Sequence, residues 1–202
     1  MAGVYPRGVF VTLEGPEGAG KSTLARALAS RLEASGVEVV VTREPGAGTF
    51  GAGVRRLLLE GEAMTPWAEV FLFLADRANH VATLVRPALE RGAWVICDRH
   101  ADSTVVYQGY ARGLDIGELR RLNRLATGGL VPDKTLLLDL PVEIGLARVQ
   151  DANRLDAESV DFHQRVRDGF LTEATLEPSR WVVIDADQTA DAVAEAAWSS
   201  LA

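Results

Sequence analysis

Apolar runs of strand length alternate along the chain with stretches whose apolar positions recur every three to four residues. Five runs predict strands, at residues 8–14, 37–42, 93–98, 135–140 and 181–185. The first, third and fourth are almost continuously hydrophobic, as in strands covered on both faces of a parallel sheet. Between the strands the period changes to that of helices. Leu24, Leu28 and Leu32 share one face of the first helix, and a long helical stretch over 66–91 carries Val70, Phe73, Leu74, Val81, Leu84 and Val85. Pro66 after Thr65 suits its start and Gly92 its stop. Strands and helices that alternate in this way predict an α/β fold, a three-layer sandwich around a five-stranded parallel sheet joined by right-handed crossovers.

Composition changes this picture little. Apolar residues make up 48% of the chain and charged ones 24%, ordinary values for a globular protein, and no repeat or break divides residues 1–202, so a single domain is expected. No stretch approaches the roughly 20 uninterrupted apolar residues of a membrane span. The opening residues show neither a signal-peptide pattern nor a lipidation motif, so a cytoplasmic location without membrane attachment is expected. Cys97 is the only cysteine, which excludes an internal disulfide and a cysteine metal cluster. A net charge of −7 argues against a protein that coats a nucleic acid polymer. A small anionic ligand remains compatible, because the charge near the ligand counts for more than the total.

The clearest chemistry follows the first strand. In GPEGAGKST, Gly15, Gly20, Lys21 and Ser22 satisfy the phosphate-loop pattern in the strand–loop–helix setting the motif requires. Glycines let the backbone curl so that successive N–H groups point inward, and the following helix adds its positive end. Gly15, Glu17, Gly18, Ala19, Gly20, Lys21, Ser22 and Thr23 are the predicted cradle of a nucleoside triphosphate, with Lys21 on the outer phosphates and the Ser22 hydroxyl on Mg²⁺. Pro16 contributes no donor. Glu17 is out of place in an anion cradle, so it is expected to face either solvent or a second substrate that offers a hydroxyl.

A second, anionic substrate needs cations of its own. Arg43 follows the second strand in TREPG, Arg55 and Arg56 lie on the next helical segment, and Asp98-Arg99-His100 ends the third strand. Arg56 reads more simply as a solvated surface residue. Phe73 and Arg77 stand four apart on one helix face and could stack a base and hydrogen-bond its edge. By spacing alone, a core phenylalanine with an arginine packed on it is the simpler reading.

FVTLEGPEGAGKST, TREPG, EVFLFLADRANHV, DRHADSTVVYQG and LLLDLPVEIGLAR, in this order and spacing, resemble the thymidylate kinases, P-loop enzymes that transfer the γ-phosphate of ATP to dTMP. The similarity extends over about residues 9–170. It implies a P-loop kinase fold with Mg²⁺ as cofactor and ATP and dTMP as partners. It also implies that Phe73 stacks the base, Arg77 meets a thymine carbonyl, and Arg99 grips the acceptor phosphate, with Arg43 and Arg55 nearby. Thr104, Tyr107 and Gln108 would line base and sugar, Tyr107 where a ribose would carry its 2′-hydroxyl, and Glu17 would meet the sugar 3′-hydroxyl. Lys21, Arg99 and Asp98 are implied in catalysis, Asp98 through a water on the metal or by orienting Lys21.

The resemblance also implies a lid, here about residues 148–159. In the enzymes the chain resembles, loops with no basic residue at the positions matching 16–19, here Pro, Glu, Gly and Ala, go with catalytic arginines in the lid, which leaves Arg154 as first choice and Arg148 as second. RVQDANRLDAES is short and weakly basic for that role, and Gly46-Ala47 replaces a doubled glycine. A homodimer paired through helices is implied as well. The rival readings are a kinase for another nucleotide or deoxynucleoside and a P-loop switch. The switch lacks support, because neither an Asn-Lys-x-Asp nor a strand-ending Asp-Glu pair is present.

Overall fold

A computed structural model of the chain describes residues 8–150 and 154–201; Asp151, Ala152 and Asn153 of the expected lid lie outside the described residues. The strands are β1 (Phe10–Glu14), β2 (Val39–Arg43), β3 (Trp94–Asp98), β4 (Lys134–Asp139) and β5 (Trp181–Asp185). The helices are α1 (Lys21–Ala34), α2 (Gly48–Glu60), α3 (Pro66–His80), α4 (Arg86–Glu90), α5 (Ala101–Thr104), α6 (Ile116–Thr127), α7 (Val142–Arg148), α8 (Val160–Leu176) and α9 (Ala190–Leu201).

All strand pairs are parallel, in the order β2-β3-β1-β4-β5. The α/β sandwich expected from the sequence is therefore present. The three runs that read as continuously apolar, β1, β3 and β4, are the central strands, whereas the edge strands β2 and β5 expose Val41 and Val183. Period-two alternation divides each central strand between two cores. Val11, Leu13, Leu136 and Leu138 pack with α1 and α9, while Phe10, Val95 and Cys97 pack with Val85, Ala88 and Leu89, and Leu137 packs with α8.

The first four strands shift from their expected bounds by a residue or two, whereas β5 falls where expected. Val37, expected in β2, instead closes α1 by donating its N–H to the Leu32 carbonyl at 3.1 Å after Gly36 turns with φ of 81°. The expected long helix over 66–91 is broken by a π-turn at Val81–Val85 before Pro87. A proline ring clashes with the carbonyl four residues earlier, and one wide turn relieves that clash without ending the helix. Gly92, with φ of 88°, stops it as expected.

These connections bring three strand ends to one edge of the sheet. β1 runs into the glycine loop, β3 into Arg99, and β2 ends at Arg43, which pairs in register with Asp98.

Candidate active site

Two glycines show why the loop after β1 needs residues without side chains. A Cβ at Gly15, φ 139°, would lie 2.4 Å from the Leu138 carbonyl oxygen, and one at Gly18, φ 71°, would lie 2.1 Å from that of Gly145. The loop is thus wedged against β4 and α7. Lys21 is buried and donates from Nζ to the carbonyls of Gly15 at 3.0 Å and Pro16 at 2.7 Å, which lays its ammonium across the loop. Burial and the neighbouring Arg99 charge lower its pKa to about 8, against the opposing pull of Glu17, Asp98 and Glu14. Ser22, exposed on the first turn of α1, donates to Asp98 Oδ2 at 2.6 Å. A hydroxyl and a carboxylate at that spacing are hard oxygen donors of the kind Mg²⁺ takes.

Arg99 has a left-handed backbone, φ 68°, which costs a non-glycine residue about 1–2 kcal/mol. Neighbouring bonds hold it there: its N–H donates to the Leu13 carbonyl at 2.9 Å, and the next N–H, of His100, donates to Glu14 Oε1 at 2.8 Å. Its guanidinium donates to the Gly15 carbonyl at 3.1 Å and to Glu17 Oε2 at 2.8 Å, and lies 5.0 Å from the centre of the Tyr107 ring. Glu17 Oε1 accepts from the Tyr107 hydroxyl at 2.7 Å. Burial opposes ionisation of Glu17, but the charges of Arg99 and Lys21 and the Tyr107 hydroxyl lower its pKa to about 2. Glu17 therefore does not point freely into solvent: it is held between Arg99 and the Tyr107 hydroxyl.

Below this pair lies Glu14, wholly buried, which also accepts from Ser103 Oγ at 2.6 Å. Burial, then the charge of Asp102, raises its pKa to about 7.

A cleft of about 290 Å³ opens over the loop, lined by Lys21, Ser22, Asp98 and the three arginines 43, 55 and 99. Burial, and after it the Arg43 charge, lower the pKa of Arg55, while Asp98 pulls the other way. Arg55 is steadied by the Pro45 carbonyl at 3.0 Å. Arg56 is exposed, as expected.

A second pocket, about 110 Å³, adjoins the cleft and shares Glu17, Glu44, Arg55 and Arg99 with it. Half-buried Phe73 forms one wall, and Arg77, Thr104, Tyr107 and Gln108 form others. Arg77 is 1% exposed and donates to Glu44 Oε2 at 2.8 Å, Thr104 Oγ1 at 2.9 Å, Asn123 Oδ1 at 2.6 Å and the His100 carbonyl at 3.0 Å. Four of its five N–H groups are engaged by described residues, and one Nη2–H remains. Glu44 also meets Nδ1 of His80 at 2.7 Å and Nδ1 of His100 at 2.9 Å; burial would raise its pKa, but His100 and Arg77 hold it well below the carboxylate range.

The expected site residues thus converge, with two exceptions. Arg154 lines neither cavity: it donates to Glu69 and, at 3.0 Å, to the Leu58 carbonyl. Arg148 turns to the Ala186 carbonyl at 3.4 Å and to Asp187 at 3.6 Å. Glu14, Glu44 and Glu69 are site residues the sequence does not predict, although each has a local signal: Glu14 directly precedes the loop, Glu44 lies inside TREPG and Glu69 stands one turn before Phe73.

The family model described as thymidylate kinase matches residues 13–197. The chain is 52% identical over 196 residues to the thymidylate kinase of Thermomicrobium roseum, covering 95% of this chain and 93% of that protein. It is 53% identical over 192 residues to that of Desulfovibrio desulfuricans, covering 89% and 88%. The crystal structure of thymidylate kinase from Ehrlichia chaffeensis superposes with a TM-score of 0.82 at 34% identity, over 98% of this chain and all of that one.

Proposed function

The chain belongs to the thymidylate kinase family and phosphorylates dTMP, and we propose that the cleft takes the phosphates of ATP with Mg²⁺ while the adjoining pocket takes thymidine. One observation carries this assignment: Arg55 and Arg99 belong to both cavities, so an anion held by them sits at the junction, end on to the phosphate cradle. Ser22, with Asp98 behind it, would hold Mg²⁺, which when bound screens charge on the donor phosphates.

An acceptor phosphate monoester has a second pKa of about 6, so its attacking oxygen is already ionised near neutrality and no general base is needed. The new bond forms between that oxygen and the γ-phosphorus as the bond to the β–γ bridging oxygen breaks. The barrier lies in bringing two polyanions into line. Lys21 supplies charge on the donor side, and Arg99, with Arg43 and Arg55, on the acceptor side. Gly15, Gly18, Ala19, Gly20 and Thr23 shape the cradle. Phe73 stacks the pyrimidine, the remaining N–H of Arg77 meets its carbonyl, and Thr104 and Gln108 complete the base site. Tyr107 crowds the 2′ position, and Glu17, held between Tyr107 and Arg99, is placed to meet the 3′-hydroxyl.

We take residues 148–159 as the lid of a single kinase domain. Arg154 belongs to it, and in this arrangement its contacts favour holding the lid against α3 over touching the transferred group. Phe50 and Leu57 on α2, Trp67 and Phe71 on α3, and Leu125 on α6 are exposed apolar side chains on helices that pack on one another, which supports pairing of two copies through this face. No helix among the described residues is long and apolar enough to cross a membrane. A cytoplasmic setting agrees with substrates that are soluble nucleotides.

An ADP-release assay over a panel of acceptors tests the assignment. dTMP is expected to exceed dUMP, CMP and thymidine in kcat/KM; equal or better use of any of these would overturn the base-pocket reading.

A further inference from the structure

Glu69 stands on the first turn of α3, one turn before Phe73 and two before Arg77, on the same helix face. It is 1% exposed, and a carboxylate buried that far persists only with donors around it. Three side chains supply them. Oε1 accepts from Gln108 Nε2 and Arg112 Nε, both at 2.8 Å, and Oε2 accepts from Arg154 Nη2 and, at 3.4 Å, from Arg112 Nη2. Burial works against its charge, but the bonds from Arg154, Gln108 and Arg112 keep its pKa below the ordinary value, so it is ionised near neutrality.

An ionised carboxylate can only accept. The Gln108 amide must therefore turn its NH₂ to Glu69, which leaves its carbonyl oxygen for the pocket it lines. We propose that Glu69 is a positioning residue for base selection: by accepting from Gln108 it fixes the amide so that the pocket meets the pyrimidine N3 with a hydrogen-bond acceptor. Arg77 supplies the complementary feature, since its one remaining N–H is a donor. A donor beside an acceptor matches the O4 and N3–H of thymine. Cytosine presents the reverse, an amino donor at C4 and an acceptor at N3. The inference rests on the reading that this pocket holds the base of dTMP.

The test compares dTMP with dCMP as acceptors and reads the ratio of their kcat/KM values, from which the folded fraction of each variant cancels. Glu69→Gln donates as well as accepts, so Gln108 is released to turn over. The ratio is expected to fall at least about tenfold, as when one polar readout in a built site is lost. In a Gln108→Ala background the same substitution is expected to change the ratio less than about twofold, because its route has been removed. An unchanged ratio in Glu69→Gln, or an equal fall in the Gln108→Ala background, would overturn the role of Glu69. If the unmodified chain does not prefer dTMP, the pocket assignment itself fails, an outcome told apart because no variant is involved. A second measurement needs no change at Glu69: the Gln108 side-chain NH₂ resonance, assigned by its loss in Gln108→Ala, is expected to be protected from hydrogen exchange before and after dTMP is added. Rapid exchange would overturn the fixed orientation.

Discussion

Replacing Glu17 by glutamine removes one buried charge and keeps the shape of the side chain. Glu17 lies between Arg99 at 2.8 Å and the Tyr107 hydroxyl at 2.7 Å, with its side chain 19% exposed. Its pKa drops from 4.5 to about 2 because Arg99, Lys21 and Tyr107 together outweigh the cost of burial. At about 1.4 kcal/mol per pH unit, that drop corresponds to roughly 3 kcal/mol favouring the folded, ionised state. The folded pKa lies below the unfolded one, so this stability is complete above about 4.5 and is lost as the pH falls toward about 2. Glutamine can still accept one hydrogen bond, so the expected loss at neutral pH is about 2–3 kcal/mol. Urea denaturation of both proteins, repeated stepwise from neutral to acid pH, measures it. The gap between them should be widest near neutrality and close as the pH drops through the acid range. Equal stability at neutral pH, or a gap that does not change with pH, would refute the electrostatic account of Glu17.

Lys21→Ala is expected to lower turnover at least about a hundredfold, the effect of losing one strong electrostatic stabiliser. In the unmodified enzyme kcat/KM for ATP should decline above about pH 8, where Lys21 loses its proton, and a flat alkaline limb would contradict the burial of its ammonium. Gly18→Ala places a methyl group 2.1 Å from the Gly145 carbonyl at a φ of 71°, and should cost roughly 2–5 kcal/mol in denaturant titrations. Phe71→Glu and Leu125→Glu should shift sedimentation velocity from dimer to monomer while leaving the fold, read by circular dichroism, unchanged; an unaffected dimer would move the interface off this face.

The sequence by itself determined the layers and the phosphate loop. β1, β3 and β4 announced their central place, because a strand covered on both faces must be apolar at successive positions. Gly15 to Thr23 announced its chemistry, because an anion cradle needs closely approaching backbone and one ammonium within a few residues of each other. The resemblance then pointed to Phe73, Arg77 and Arg99. Tertiary structure alone decided what the carboxylates do. Glu14, Glu17, Glu44 and Glu69 take their partners from residues 33 to 90 positions away, and no local pattern states which arginine a buried acid will hold. The same holds for Arg154, whose partner Glu69 lies 85 positions away on α3. Backbone form follows from near neighbours, whereas the balance of buried charge depends on every element that closes around a site, and that is settled only when the chain is packed.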